Sequence, residues 1–333
     1  MKINNLKLKT RLKKLVVLII LAYFMLMLVI FPDKYVNSTM QGIKLWGLTV
    51  LPSLLPFFFL TQLLTATGVF NGISNKATKL TYPLFKCNGI SAYAFLMSVL
   101  SGYPVGSRIV YDLKSNDLIS KSESTKIGLL ASTSGPLFII GAVGIGMFNN
   151  KIIGAIIYIS HIISAILVGV IFRNYGNDEN IKTITHFKNK EQGNVLYNSI
   201  YNAVISSIIV GGFISVFYVF SEILVDTKIL TPIEKIFELL FKFLGGSKET
   251  SKAFTIGIIE ATNGIKRLSQ LGNLTLAVPL SCALISFGGI SIIMQSLIYL
   301  QKAEVKPLVF ILGKLLQTVI SFIICSILCR FFL

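Results

Sequence analysis

Glu260 ends an apolar stretch, Phe254 to Ile259, and stands directly before the helix-weakening run Ala261-Thr262-Asn263-Gly264. Burying a carboxylate in such surroundings is costly, so an acid at membrane depth is a functional hypothesis by default. Low dielectric disfavours the charged form, which makes Glu260 a candidate for proton coupling or cation binding. The competing reading is an interfacial glutamate that caps the turn carrying Lys266 and Arg267. Thr262 and Asn263 supply neutral hydrogen-bonding groups suited to a polar solute.

Three other places interrupt apolar runs with small, polar or proline residues: Ser101-Gly102-Tyr103-Pro104-Val105-Gly106-Ser107-Arg108, Thr133-Ser134-Gly135-Pro136 and Ser286-Phe287-Gly288-Gly289. In water, Gly and Pro inside a helix cost roughly 1 and 3 kcal/mol respectively. In lipid a break also leaves amide and carbonyl groups unpaired, at several kcal/mol each. Breaks therefore persist only where protein, water or a solute supplies partners. A broken helix also aims a half-helix N-terminus, with about half a positive charge, at whatever sits there. The candidate binding residues are Gly102, Tyr103, Pro104, Gly106, Ser134, Gly135, Pro136, Glu260, Thr262, Asn263, Gly264, Ser286, Gly288 and Gly289. Close helix packing is the alternative, since Gly102 to Gly106 is a GxxxG. Four breaks in matching positions favour a site.

Other polar residues carry less. Arg108, Lys266 and Arg267 follow the breaks and read as snorkelling anchors ahead of partners for an anion. His161 lies midway along an apolar helix, where packing is favoured over a proton relay. The run Phe57-Phe58-Phe59 reads as lipid-facing. Cys87, Cys282, Cys325 and Cys329 show no CxxC spacing and read as packing residues. No GxxxxGK[ST], HExxH or GxSxG motif occurs, so no enzyme and no organic cofactor are expected.

The elements that must position these residues are membrane helices. Of 333 residues 53% are hydrophobic and 14% charged, against about 25% charged in a soluble domain. The apolar residues fall in blocks of roughly 20, the length that crosses a hydrocarbon core of about 30 Å. In lipid such blocks must be helices or a closed barrel, and no barrel alternation is present. Long apolar segments run at about 43–66, 127–148, 151–173, 195–225, 274–299 and 307–332. Interrupted ones lie at about 90–113 and 251–268, and amphipathic, interfacial ones at about 69–86 and 229–245. The net charge of +17 sits mostly beside apolar blocks, which points to lipid headgroups and not to nucleic acid. The densest basic cluster, Lys2 to Lys14, precedes an uncleaved helix, Leu15 to Phe31, and places the N-terminus on the cytoplasmic side.

The expected organisation is a basic segment and transmembrane helix (1–36), a first repeat (40–175), a polar linker (176–194) and a second repeat (195–333). Each repeat runs long helix, amphipathic segment, short interrupted segment, long interrupted segment, closing helix. Such internal symmetry with Gly/Pro breaks marks a secondary-transporter fold. If the short interrupted segments are re-entrant hairpins the repeats are inverted, and if they span the repeats are parallel. Hairpins are favoured because Arg108 to Lys126 is too polar for a tight turn.

The stretches SGYPVGSRIV (101–110), SGPLFIIGAVGIG (134–146), IEATNGIK (259–266) and SFGGIS (286–291) resemble the sporulation integral membrane protein YlbJ family, with its nucleoside-recognition or Gate fold. That fold is similar to concentrative nucleoside transporters and to the membrane gate of bacterial ferrous iron transporters. The resemblance implies an all-α polytopic protein with two inverted repeats. Each has an interfacial helix, a re-entrant hairpin and a broken transmembrane helix, and an N-terminal helix is added. It implies a spore-forming bacterium, a bacterial cell membrane that can be the forespore or mother-cell one, and transport of a small polar or anionic solute. Dipicolinate is the first such solute and a nucleoside-like one the second. One departure is that the family's histidine between the second-half FGG and the next Gln is absent, the chain reading Ile292-Ile293-Met294-Gln295. Expected partners are a small-molecule solute and the lipid bilayer. A coupling proton or cation and a homo-oligomer stay open. The rival reading is a non-transporting assembly or docking protein for spore maturation. An intramembrane enzyme acting on a lipid is disfavoured by the lack of paired acids.

Overall fold

The computed structural model describes residues 2–66, 74–176 and 194–333 of the chain. The polar linker expected at 176–194 lies outside the described residues except at its ends. Among the described residues every regular element is helical. α1 (Lys2–Ile30) is followed by α2 (Pro32–Leu45), a π-helical turn (Trp46–Val50) and α3 (Leu51–Ala66), the last three forming one long rod. The π turn has a local cause. Pro52 has no N–H to donate, and Leu51 N–H instead reaches Trp46 O five residues back, so the rod continues past the proline.

The remaining order is the same in both halves. After the rod come α4 (Ser74–Phe85), then α5 (Ile90–Ser101) and α6 (Val105–Ser115) as a pair. α7 (Lys121–Leu130), a non-helical stretch, a π-helix (Leu137–Ile145) and α8 (Lys151–Ile171) close the first half. The second half runs α9 (Val195–Asp226), α10 (Thr231–Lys242), the pair α11 (Lys248–Ile259) and α12 (Ala261–Ser269), α13 (Leu274–Phe287), α14 (Gly289–Leu300) and α15 (Pro307–Phe332).

Several helices are inside out relative to those of a water-soluble protein. On α15 the buried stripe is Gly313, Lys314, Gln317, Ser321, Cys325 and Cys329, while Leu308, Leu312, Leu315, Val319, Ile323 and Ile327 are exposed. α9 buries Ser199, Ala203, Ser207, Gly211 and Ser215 and exposes Ile200, Ile205, Ile208 and Val216. Water would reverse both stripes; lipid outside and small or polar contacts inside give this pattern. Among the described residues five helices are long and apolar enough to cross a membrane: Pro32–Leu64, Lys151–Asn174, Val195–Asp226, Leu274–Leu300 and Pro307–Phe332. α1 packs on the outside of α9, with Tyr23 Oη donating to Thr227 Oγ1 at 2.7 Å and Phe24 stacked on Phe220 at 4.1 Å. The expectation for the phenylalanine run needs correction, because Phe58 is buried in the core beside half-buried Phe57 and Phe59.

The short interrupted segments are hairpins. Gly264 on α12 rests on Gly257 of α11, and Gly106 on α6 rests on Ser98 of α5, so each second leg runs back along its first. The legs hold 12 and 11 residues in one hairpin and 12 and 9 in the other. At 1.5 Å per residue they reach about 14–18 Å, roughly half of a hydrocarbon core, so each hairpin enters and leaves on one side. α4 meets α5 at 83°, so it lies across the hairpin as an interfacial helix does. α7 with its π-helix stands where α13 and α14 stand in the second half.

Candidate functional site

The break after α7 follows from a capped helix and a proline. Ser120 and Glu123 form a reciprocal capping box that starts α7 at Lys121, earlier than the apolar pattern begins. Pro136 then opens the π-helix, leaving the stretch between non-helical. Four of its backbone groups are taken up by side chains. Ser98 Oγ donates to Ala131 O at 2.6 Å and accepts from Thr133 N–H at 3.1 Å. Lys314 Nζ donates to Ser132 O at 3.0 Å, and Ser134 N–H donates to His161 Nε2 at 2.9 Å. A break at membrane depth is tolerable on this condition.

The second break is made by glycine. Gly288 (φ +89°) and Gly289 (φ +66°) are consecutive left-handed residues between α13 and α14, a conformation that side chains rarely adopt. Each break supports the hairpin tip of its own half. Gly102 meets Gly135 backbone to backbone, and Gly289 lies against Ala261 N and Ile259 O. Glu260 forms the tip of the second hairpin and caps α12, its carboxylate accepting Thr262 N–H at 3.1 Å and Asn263 N–H at 2.6 Å. It is 1% exposed, so the interfacial reading is displaced by a buried cap.

Two side chains missed as site residues tie the halves together. His161 of α8 is 0% exposed and bonds Ser286 Oγ through Nδ1 at 2.8 Å as well as Ser134 N–H through Nε2. Because Nε2 accepts, the neutral ring carries its proton on Nδ1 and donates it to Ser286. One imidazole thus bridges both breaks. Lys314 of α15 is 1% exposed and donates to Tyr103 Oη at 2.7 Å and Gln317 Oε1 at 2.8 Å besides Ser132 O.

A small cavity of about 40 Å³, open at one side, lies where the hairpin tips meet the first break. Of the expected residues, Gly102, Tyr103, Ser134, Gly135, Glu260 and Thr262 line it. Ser101 and Gln295, not singled out in the sequence, line it too, and Val50, Leu54, Val210 and Ile214 of the outer helices complete the wall. The Ser101 hydroxyl is buried and makes no hydrogen bond among the described residues. Its lining, an apolar wall with a few polar groups, is of the kind that orients a small solute.

The other expected residues stand off this wall. Gly106 and Gly264 hold the hairpin legs together, Pro136 opens the π-helix, Gly288 and Gly289 form the break, and Ser286 is the partner of His161. Asn263 is engaged elsewhere: its amide donates to Ser221 Oγ at 3.3 Å and Glu222 Oε1 at 3.2 Å and accepts from Arg267 Nε at 3.0 Å. Arg267 also pairs with Glu222, which ties the hairpin to α9 and replaces the snorkelling role expected of it. Among the described residues no group of His, Cys, Asp and Glu is placed to hold a metal ion, and all four cysteines are buried.

Lipid-facing apolar stripes, re-entrant hairpins and buried polar breaks together define a polytopic all-α integral membrane protein. The chain is 27% identical over 337 aligned positions, 92% of its own length and 81% of the other, to the sporulation integral membrane protein YlbJ of Bacillus subtilis (strain 168). This similarity supports membership of the YlbJ family of sporulation integral membrane proteins. No family model matches the chain, and no solved structure matches it.

Proposed function

We propose that this protein carries a small polar or anionic solute through the membrane, and that the cavity at the hairpin tips is where it binds. The observation that carries the reading is the cavity itself. It joins both hairpins and a broken helix, and it presents Glu260, Thr262 and the unpartnered Ser101 hydroxyl to one space. Secondary transporters place solute and coupling-ion sites at such junctions of discontinuous helices. Ser134 and Thr262 contact the solute, and Glu260 sets the charge of the site or couples a proton or cation. The hairpins and broken helices move against the outer helices, with the N-terminus cytoplasmic in a bacterial cell membrane, at sporulation a forespore or mother-cell one. Dipicolinate is the first solute to test, given the sporulation relative and the family resemblance, and a nucleoside the second.

The test is solute protection of single cysteines in a variant whose four native cysteines are replaced. Dipicolinate or a nucleoside is expected to slow modification of Ser101→Cys and Thr262→Cys by a small methanethiosulfonate. Leu239→Cys, on the exposed face of α10, should be unaffected. Equal rates with and without every solute contradict the site.

A further inference from the structure

At about 40 Å³ the cavity has room for roughly three water molecules. Solute pockets are typically about 300 Å³ or more. One wall must therefore part from the others before a solute can enter, and the walls are fastened differently.

The first hairpin is joined to α9 through apolar packing. Val105, Ile109, Val110 and Leu113 of α6 belong to one buried cluster with Val210 and Ile214 of α9. The second hairpin is not joined in this way. Its Ala253, Phe254, Ala261, Ile265 and Leu268 belong to a separate cluster, to which α9 contributes no residue among the described ones. Polar groups bridge this seam instead. Asn263 Nδ2 donates to Ser221 Oγ at 3.3 Å and Glu222 Oε1 at 3.2 Å, and Arg267 pairs with Glu222 while its Nε holds Asn263 Oδ1 at 3.0 Å. Such bonds exchange for water at small net cost, whereas separated apolar surfaces lose their full burial. The second hairpin and α9 form the seam that parts most readily.

The bridging groups also stand on the way out of the cavity. Along α9, Ile214 lines the cavity and Glu222 lies about 12 Å further on; along α12, Thr262 lines it and Arg267 lies about 8 Å further on. The side chains of Glu222 and Arg267 are 20% and 33% exposed, while Glu260 is 1% exposed. Asn263 connects the two levels, since its N–H donates to the Glu260 carboxylate at 2.6 Å.

We infer that Glu222, Asn263 and Arg267 are the latch of a gate, and that parting of the second hairpin from α9 opens the cavity to the face on which that hairpin enters. The inference rests on the proposed solute site and adds the route to it. A solute that engages Glu260 acts on the same first turn of α12 that carries Asn263, so occupancy of the site and closure of the latch are linked.

The test uses Ser101→Cys as reporter in full-length protein whose four native cysteines are replaced, reconstituted in liposomes. The native hydroxyl lines the cavity, is buried and has no hydrogen bond among the described residues, so the exchange removes none. A quaternary-ammonium methanethiosulfonate, too large for the closed cavity, labels this thiol when the gate opens. Glu222→Ala removes the acceptor shared by Asn263 and Arg267 and should speed labelling by about tenfold or more. Glu222→Gln keeps an acceptor oxygen and should speed it by less; it carries the test if the alanine variant does not fold. Lys34→Ala breaks the ion pair to Asp226, one turn further along α9 and off the hairpin, and should leave the rate unchanged. Unchanged labelling in folded Glu222 variants overturns the latch, and so does an equal rise with Lys34→Ala, which would report general loosening of α9. Faster labelling of the Glu222 variants that no solute slows leaves the gate standing and overturns the solute site instead.

Discussion

Gly264→Val is expected to yield no folded protein, and Gly264→Ala to lower stability by about 3 kcal/mol or more. A methyl group at this position would sit on Gly257 Cα, with Gly257 N at 2.6 Å and Ala253 O at 2.9 Å. The obstacles are backbone atoms of the opposing hairpin leg, so no rotamer change relieves the overlap. At Gly106 a methyl meets Ala131 O, a backbone atom of the first break, and lies 2.6 Å from Ser98 Oγ of the opposing leg. Separating the legs would also pull both tips off the breaks they support. Gly212→Ala is the control, since nothing lies within 4 Å of a methyl there. Size-exclusion profiles and thermal melts in detergent read the outcome. A monodisperse Gly264→Val protein melting with wild type would show that α12 does not pack on α11 as described.

The second large effect is expected at His161. His161→Ala removes the acceptor of Ser134 N–H and the partner of Ser286 and leaves a cavity, at a cost of about 3–5 kcal/mol. His161→Phe separates the contributions, because it restores volume without restoring hydrogen bonds. The structure predicts that phenylalanine remains well below wild type in a thermal melt, since a buried amide in the break is still unpaired. A phenylalanine variant as stable as wild type would reduce His161 to a packing residue.

The parts legible in the sequence were those written in local pattern. The four breaks, the order of parts in each half and the buried acid at Glu260 follow from apolar block length, Gly and Pro positions and one carboxylate in an apolar run. The start of α7 was not legible, because Lys121 to Lys126 reads as a polar loop until the Ser120 and Glu123 cap and its burial are seen. The bridging residues were illegible for a different reason. His161 and Ser286 are 125 positions apart, and Lys314 and Tyr103 are 211 apart. Pairing at that separation leaves no periodic trace, so His161 reads as helix packing and Lys314 passes within a closing apolar helix. Asn263 shows the converse. Its type suits a solute, yet Ser221 and Glu222 of α9, distant in sequence, engage it first.

Uptake by the purified protein in sealed liposomes tests the central claim most directly. Dipicolinate, nucleosides and ferrous iron would each be offered with and without a proton gradient, to wild type and to Glu260→Gln. The glutamine keeps one of the two acceptor oxygens, so α12 retains one of its two capping bonds while the charge is lost, and a thermal melt of the variant checks its folding. The account predicts saturable uptake of one solute by wild type and a rate at least roughly tenfold lower in the variant. Well-folded wild type that moves none of them, or a Glu260→Gln protein that transports like wild type, would contradict it, and the first of these results would favour a docking protein.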